Sequence, residues 1–290
     1  MRLLAFLASA LCLFIWLESA PTSGTHVGKM GADKIAVTFL DVGMGDAILI
    51  RGPDGKTILV DAGPPMEDFV PLLHKRGVKH LDLLVASHHH TDHIGNMVAV
   101  IGAFKPAMYL DSRSSHSTKT YQSVLQAIKA AGADFISPYP GKERQIQLGR
   151  MTLRMFPQPP EDEADENNNC IGLRVEFGKF SVLLTGDSAE DQRTWWIRNA
   201  DKKLYHKPTV FLLPQHGSME GLDREWLEAV SPQVAVASCG AGNRYGYPHF
   251  RTQKLLSRAR VDLFRTDQDG SVTFTSDGED WKVSKDRAEE

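Results

Sequence analysis

The sequence is poor in cysteine. Three in 290 residues are too few for a disulfide-stapled scaffold or a four-thiolate zinc site. Cys12 falls in an N-terminal apolar segment, while Cys170 and Cys239 sit in strand-like apolar surroundings. These two read as buried free thiols, although an oxidising compartment would permit a bridge. An excess of positive charge is also missing. Lys and Arg number 33 against 36 Asp and Glu, a net charge of −3. No global field therefore draws in nucleic acid, and any contact with a polyanion must be local. Nor is the composition extreme: 42% hydrophobic and 24% charged residues exclude a disordered or fibrous chain. The length allows one large domain or two small ones.

The apolar run at residues 3–17 falls short of the roughly 20 residues that a membrane span needs. Arg2 precedes it, and the small residues Ser19 and Ala20 follow, a pattern that resembles a secretory signal peptide over residues 1–20. Glu18 and Pro21 flank the cut poorly, so an uncleaved anchor or a buried helix is the alternative. The expectation is an exported chain, periplasmic or extracellular, touching a membrane only through this segment if it is kept. Residues 21–34 are small, polar and Gly-rich, and read as a linker to a domain over 35–285.

That domain begins with strands at 35–41, 47–50 and 57–61, the last two joined by a Pro53-Asp54-Gly55 turn. A helix at 66–76 closes at Gly77. A buried strand at 81–86 leads through a polar cluster into a helix at 94–104. A strand at 106–110 and a helix at 119–131, ending at Gly132, follow. The second half repeats the scheme: strands at 146–148, 152–156, 171–177 and 180–185, a helix at 189–199, and a strand at 210–213. After them come a helix at 222–230, a strand at 233–238 and a helix at 250–260. A final hairpin is expected over 261–276, turning at residues 267–270. In each half a hairpin strand ends in an acid beside a glycine, Asp61-Ala62-Gly63 and Gly186-Asp187. Two sheets packed face to face with helices outside fit this order. The loop at 157–169, with EDEADE and three asparagines, reads as a solvated acidic loop.

Residues 87–95 read Ser-His-His-His-Thr-Asp-His-Ile-Gly, after a buried strand and at a helix start. His88 and His90, two apart on extended chain, project to one side. Asp92 and His93 at the helix start can turn toward the same point. Imidazoles with a carboxylate suit Zn²⁺, with Mn²⁺ or Fe as alternatives. A surface histidine tract is the bland alternative, but it would not follow an apolar strand in this pattern.

This HxHxDH cluster resembles that of the metallo-β-lactamase superfamily. FLDVGMGDA (39–47), NNNCIGLRVEFGKFSVLLTGD (167–187), QHGS (215–218), NRYGYPH (243–249) and RTD (265–267) resemble, in order, segments of its ComEC/Rec2-type branch. The resemblance implies an α/β fold: an αββα sandwich of two mixed sheets with outer helices and metals at one edge. It implies that His88 and His90 hold a first metal and Asp92 and His93 a second. Asp187 would bridge the two, and His216 would complete the second. Asp61 would lie behind the metals and orient ligands, and Asp46 would support the loop below. Zn²⁺, as one or two ions, is the expected cofactor, with Mn²⁺ the alternative and no nucleotide cofactor. Three positions depart from the branch pattern: Met44 replaces Gln, and Gln215 and Tyr247 each replace His. The first metal lacks an obvious third histidine, and the branch commonly has the Asn-rich stretch there; His116 could supply one, the plainer reading being a solvated loop histidine. Asp187 could otherwise cap the following helix, and His216 could be a turn residue.

The activity implied is hydrolysis of phosphoesters, of the phosphodiesterase or nuclease type. A cation stabilises hydroxide near neutral pH, and the hydroxide attacks phosphorus. Asp92 or Asp187 would hold the nucleophile, and His249 would steady the phosphoryl oxygens or serve as an acid. Arg244 and Tyr247 would meet the substrate; rim packing is the plainer role for Arg244 and Tyr245. Single-stranded DNA or another nucleic acid is the first substrate to consider. Arg251, Lys254 and Arg258 share a helix face that could assist, with Arg260 nearby. The acidic residues 161–166 would repel a polyanion. The alternatives are an exported hydrolase of small phosphoesters and a non-catalytic module that binds DNA or a partner through an eroded site.

Overall fold

A computed structural model of the chain describes residues 33–112, 114 and 116–287. The expected signal segment at 1–20 and nearly all of the linker at 21–34 lie outside the described residues. Among the described residues no helix is long and apolar enough to cross a membrane.

Fifteen strands and eight α-helices follow one another among the described residues. The strands are β1 (Ile35–Phe39), β2 (Ile48–Arg51), β3 (Thr57–Val60), β4 (Leu83–Val85), β5 (Met108–Leu110), β6 (Asp134–Ile136), β7 (Arg144–Leu148) and β8 (Met151–Met155). The chain continues with β9 (Leu173–Phe177), β10 (Phe180–Leu184), β11 (Val210–Leu212), β12 (Val234–Ala237), β13 (Asp262–Arg265), β14 (Val272–Ser276) and β15 (Trp281–Lys285). The helices are α1 (Phe69–Lys75), α2 (Thr91–Ile94), α3 (Met97–Phe104), α4 (Lys119–Ala131), α5 (Glu190–Asn199), α6 (Arg224–Val230), α7 (Phe250–Ala259) and α8 (Thr266–Asp269).

The strands form two sheets, ordered β15-β14-β1-β2-β3-β4-β5-β6 and β13-β12-β11-β10-β9-β8-β7. Both are mixed. In the first, β1–β2–β3 are antiparallel and β3–β4–β5–β6 parallel. In the second, β7 to β10 are antiparallel and β10 to β13 parallel. One apolar core lies between the sheets. Val37, Ile50, Ile58, Leu83, Leu153, Val175, Val182 and Val236 belong to it. Alternate residues of the same strands, such as Leu49, Leu59 and Leu84, pack outward against Leu73, Met97, Ile101 and Val124 of α1, α3 and α4. On the other side Leu183, Phe211 and Ala235 pack against Trp196, Trp226 and Leu256 of α5, α6 and α7. The central strands are covered on both faces, which is why they read as continuous apolar runs. The expected αββα sandwich is what forms.

Helix limits follow local chemistry. The side chain of Thr118 accepts a hydrogen bond from Tyr121 N and starts α4, and Gly132, at φ 70°, ends it. One expected element does not form: residues 261–276 are not a hairpin. β13 pairs with β12 in the second sheet and β14 with β1 in the first. The turn residues form α8, which carries the chain between the sheets, and Arg265 holds Asp267 at its start. β6 and β15 are edge strands that the sequence pattern does not announce. Parallel pairing brings the carboxyl ends of β3 and β4, and of β10, β11 and β12, to one edge of the sandwich. The loops leaving those ends build the site.

Candidate metal centre

β4 ends in Val85, and the chain then bends at Ser87 and His88 before reaching His90, the N-cap of α2. Asp61, just past β3, holds this stretch in place. Its Oδ1 accepts from Ser87 N at 2.8 Å. Its Oδ2 accepts from Ser87 Oγ at 2.7 Å and lies 2.9 Å from Nδ1 of His93. Asp61 adopts a left-handed φ of 57° to do so, a strained conformation for a residue other than glycine. The loop carrying Asp46 closes over the other side. A Cβ on Gly45 would collide with the Asp92 carbonyl and with Pro64. Ser238 Oγ, beyond β12, donates to Gly45 O at 2.8 Å and so ties the second sheet to this loop.

Two groups of donor atoms result. His88 Nε2 and His90 Nδ1 lie 3.0 Å apart, with Asp187 Oδ2 4.0 Å from the former. These three residues bring donors within 4.8 Å of one another. Across Asp187 lies the second group. Asp187 Oδ2 is 3.4 Å from His93 Nε2 and 3.7 Å from His216 Nε2. Asp92 Oδ2 is 3.3 Å from His216 Nε2 and 4.0 Å from His93 Nε2. Asp46 also offers a donor within 4.8 Å of His93, Asp187 and His216. Both imidazoles turn Nδ1 toward it, however, at 3.9 and 3.3 Å. Asp46 and Asp61 therefore back the two rings, while Asp92 and Asp187 share the Nε2 side with the space between them. A carboxylate behind a ligating histidine fixes its tautomer and raises its basicity.

The loop after β11 is bent to serve this arrangement. Gln215 and His216 are both left-handed, at φ 48° and 56°. The bend lets Gln215 N donate to Asp187 Oδ1 at 3.1 Å and Gln215 Nε2 to Asp187 O at 3.2 Å. One carboxylate oxygen of Asp187 is thus pinned, and Oδ2 faces the histidines. Gln215, which the sequence marks as a lost histidine, is a clamp on Asp187.

Burial and charge set the protonation states. Burial drives His88 well below the ordinary imidazole range, and His93 adds to this, so His88 is neutral and able to ligate. Burial would also lower His216, but Asp187, with Asp46 and Asp92 close to its two ring nitrogens, overrides it and raises the pKa to about 10. His93 is held well above its usual range against burial, by Asp187 and Asp61. Asp187 is driven far down despite burial, by His216 and His93. Carboxylates outnumber imidazoliums here, and His93 Nε2 is buried with no hydrogen-bond partner among the described residues. Donors of this kind, oxygen and imidazole nitrogen without thiolate, fit a divalent cation such as Zn²⁺ or Mn²⁺.

The structure brings His88, His90, Asp92, His93, Asp187 and His216 together, with Asp61 and Asp46 behind them. A cavity of about 630 Å³ opens over Asp92, Asp187 and His216, and Met44, Asn167, Arg244, Tyr245 and Tyr247 line it. Tyr245 and Tyr247 stack at 5.4 Å and 17°. The Arg244 guanidinium lies 4.9 Å from the Tyr245 ring. His249 is the N-cap of α7: its Nδ1 accepts from Arg251 N at 3.3 Å, its backbone N–H donates to Gly217 O at 2.9 Å, next to His216, and it is not among the cavity's lining residues. His116 bonds Thr118 through Nδ1 and is not part of the first donor group. Cys170 and Cys239 are buried free thiols, as expected. Arg251, Lys254 and Arg258 are exposed on α7.

One buried network escapes the sequence pattern. His89, between His88 and His90, lies 3.0 Å from Asp111 through Nε2 and 3.0 Å from Glu166 through Nδ1. Its ring stacks on Tyr121 at 3.7 Å. Against the cost of burial, Asp111 and Glu166 raise it to about 9. The acidic loop is therefore only partly solvated. Glu161, Glu163 and Asp165 are exposed, but Glu166 fastens the loop to the histidine segment.

Comparison with known proteins places this geometry. The family model described as the metallo-beta-lactamase superfamily matches residues 40–241. The chain is 27% identical over 257 residues to ComE operon protein 3 of Bacillus subtilis, covering 82% of this chain and 32% of that protein. It is 31% identical over 252 residues to competence protein ComA of Neisseria gonorrhoeae, covering 83% and 32%. It is 29% identical over 243 residues to recombination protein 2 of Haemophilus influenzae, covering 81% and 28%. The chain thus spans about a third of the length of these relatives. Among solved structures, the metallo-beta-lactamase fold protein YhfI of Bacillus subtilis superposes with a TM-score of 0.55 at 15% identity, covering 84% of this chain and 100% of that one. Igni18, a metallo hydrolase of Ignicoccus hospitalis, superposes with a TM-score of 0.51 at 18% identity, covering 82% and 98%.

Proposed function

The chain belongs to the metallo-β-lactamase superfamily, and from that premise we propose that it is a metal-dependent phosphodiester hydrolase acting on single-stranded nucleic acid. The observation that supports this most is the placement of Asp187 Oδ2 among the Nε2 atoms of His88, His93 and His216. A carboxylate oxygen shared by two donor groups is what a paired-cation centre needs. Divalent ions held there would acidify water and act as Lewis acids toward a phosphoryl oxygen.

The residues of the chain do the rest. Asp61 and Asp46 occupy the Nδ1 sides of His93 and His216 and leave each Nε2 lone pair pointing inward. Gln215 N keeps Asp187 Oδ1 occupied. Asp92 stands at the cavity mouth, half-buried, and can orient a water as it enters. The stacked pair Tyr245 and Tyr247 offers a flat face to a base, and Arg244 offers a cation to the adjoining phosphate. Two of the relatives carry competence and recombination in their names, which agrees with a nucleic-acid substrate. The acidic loop borders the cavity through Asn167, so a strand would enter from the side of Arg244.

Hydrolysis of bis(p-nitrophenyl) phosphate and of a labelled single-stranded oligonucleotide by the metal-loaded protein tests the proposal. Turnover of both, lost in His90→Ala, is expected. Turnover of the small ester alone would limit the function to small phosphoesters. Turnover of neither would leave a binding module.

A further inference from the structure

Charge is unevenly spread along this chain. From Ser231 to Val261 there is no Asp or Glu and there are five cations, in a chain whose net charge is −3. Many arginines elsewhere are paired: Arg76, Arg154, Arg174, Arg193 and Arg265 each hold a carboxylate. Arg251, Lys254, Arg258 and Arg260 hold none among the described residues, and all four are exposed. The first three share one face of α7 through spacings of three and four. Thr252 and Leu256, on the opposite face, are buried. The result is a basic ridge along a helix about 15 Å long at 1.5 Å per residue.

The near end of the ridge is tied to the loop that carries His216. Thr252 Oγ1 donates to Ser218 O at 2.8 Å, and His249 N to Gly217 O at 2.9 Å. Exposed apolar side chains gather at this end. Phe250 is 64% exposed, Tyr245 49% and Met219 40%. The Arg251 guanidinium lies 6.0 Å from the Phe250 ring, and its Nη1 is 3.1 Å from Met219 Sδ. Tyr245 also lines the cavity, so aromatic rings lead from the cavity onto the helix. At the far end Arg258 and Arg260 line a groove of about 480 Å³, whose one carboxylate, Glu228, is paired with Arg224. Cations without partners beside exposed rings mark an interaction surface. A single strand matches both features, with phosphates for the cations and flat bases for the rings. An anionic membrane would meet the same cations and the same Phe250. A strand is favoured because the ridge continues from the stacked pair Tyr245 and Tyr247 at the cavity.

We infer that α7 is the outer part of a single-strand track. Phe250 stacks on a base beyond the cavity, and Arg251, Lys254 and Arg258 take the phosphates that follow. The inference rests on the nucleic-acid reading of the cavity and adds a length requirement to it: only a strand that outreaches the cavity uses the ridge.

Binding of labelled oligothymidylates of about 4 and about 16 nucleotides, the span of common single-strand site sizes, tests this. Anisotropy is read on the metal-loaded full chain in the cold, ahead of turnover, over a range of salt. The variants are Phe250→Ala and the triple Arg251→Ala, Lys254→Ala, Arg258→Ala. Phe250→Ala should weaken the longer strand about tenfold, the scale of one lost stack. The triple variant should lower the slope of log affinity against log salt for the longer strand by about 2, at about 0.7 for each phosphate contact. Both should leave the shorter strand as it is, and an unchanged urea midpoint shows that the fold is intact. If both variants bind the longer strand as the wild type does, or weaken the two strands alike, the inference is overturned and the reading of the cavity stands. Binding of anionic phospholipid vesicles that the triple variant loses, while it keeps the longer strand, overturns it too and turns the ridge toward a membrane. A wild type that binds neither strand removes the nucleic-acid reading itself, and the inference with it.

Discussion

Asp46 Oδ1 lies 3.3 Å from Nδ1 of His216, on the side of the ring away from Asp187. The sequence suggested only that Asp46 supports a loop. Its position makes it the group that orients His216, as Asp61 orients His93. Asp46→Asn keeps the shape but loses the charge, and should weaken metal binding at the His93 and His216 group about 10- to 100-fold. Zn²⁺ competition measures this. An affinity within about twofold of the wild type would mean that Asp46 serves the loop alone.

Without metal, His216 titrates near 10. A bound cation must displace that proton, so at pH 7 metal binding releases protons and tightens as pH rises. Calorimetry in buffers of different ionisation enthalpy counts the release. The sign for stability is the opposite. A pKa raised above the unfolded value of about 6.5 gives the metal-free protein stability that is fully present below pH 6.5 and lost as pH rises toward 10. The melting temperature of the metal-free chain should fall across that window, and the fall should be smaller in His216→Gln.

His89 is expected to matter for folding. Replacing it with Gln removes the imidazolium that Asp111 and Glu166 share. The loss should be about 3 kcal/mol, the scale for removing one partner of a buried pair, read as a lower urea midpoint. Because His89 titrates near 9, its contribution is full below about pH 6.5 and fades through pH 9. A surface role would leave the midpoint where it was.

Tyr245 is half-exposed at the cavity mouth. Tyr245→Ala should cost about 1–3 kcal/mol in binding a single-stranded oligonucleotide, the worth of one stacked base, and leave hydrolysis of bis(p-nitrophenyl) phosphate unchanged. Arg244→Ala should flatten the salt dependence of oligonucleotide binding by about one contact. If neither variant changes oligonucleotide binding, the substrate is not a strand lying across this face.

Much of the fold and site is legible in the chain itself. The apolar strands mark the sandwich, and the HxHxDH spacing is local, so pattern alone finds His88, His90, Asp92 and His93. Asp187 and His216 follow from the family resemblance and come together only through the parallel ends of β10 and β11. What stays hidden is set by tertiary packing. No local signal tells that Gln215 N would clamp Asp187, that Glu166 would leave an acidic loop to meet His89, or that His249 would cap α7. The expected last hairpin fails because a turn between two apolar strands looks the same whether the strands pair with each other or join different sheets.

The central claim is that a paired-cation centre does the hydrolysis. Metal content and turnover of bis(p-nitrophenyl) phosphate, measured on one preparation of the chain through chelation and reconstitution, test it most directly. About two ions per chain are expected, with turnover falling as they are removed and returning with Zn²⁺ or Mn²⁺. Turnover that persists in the metal-free protein, or a chain that takes up no metal on reconstitution, would contradict the account.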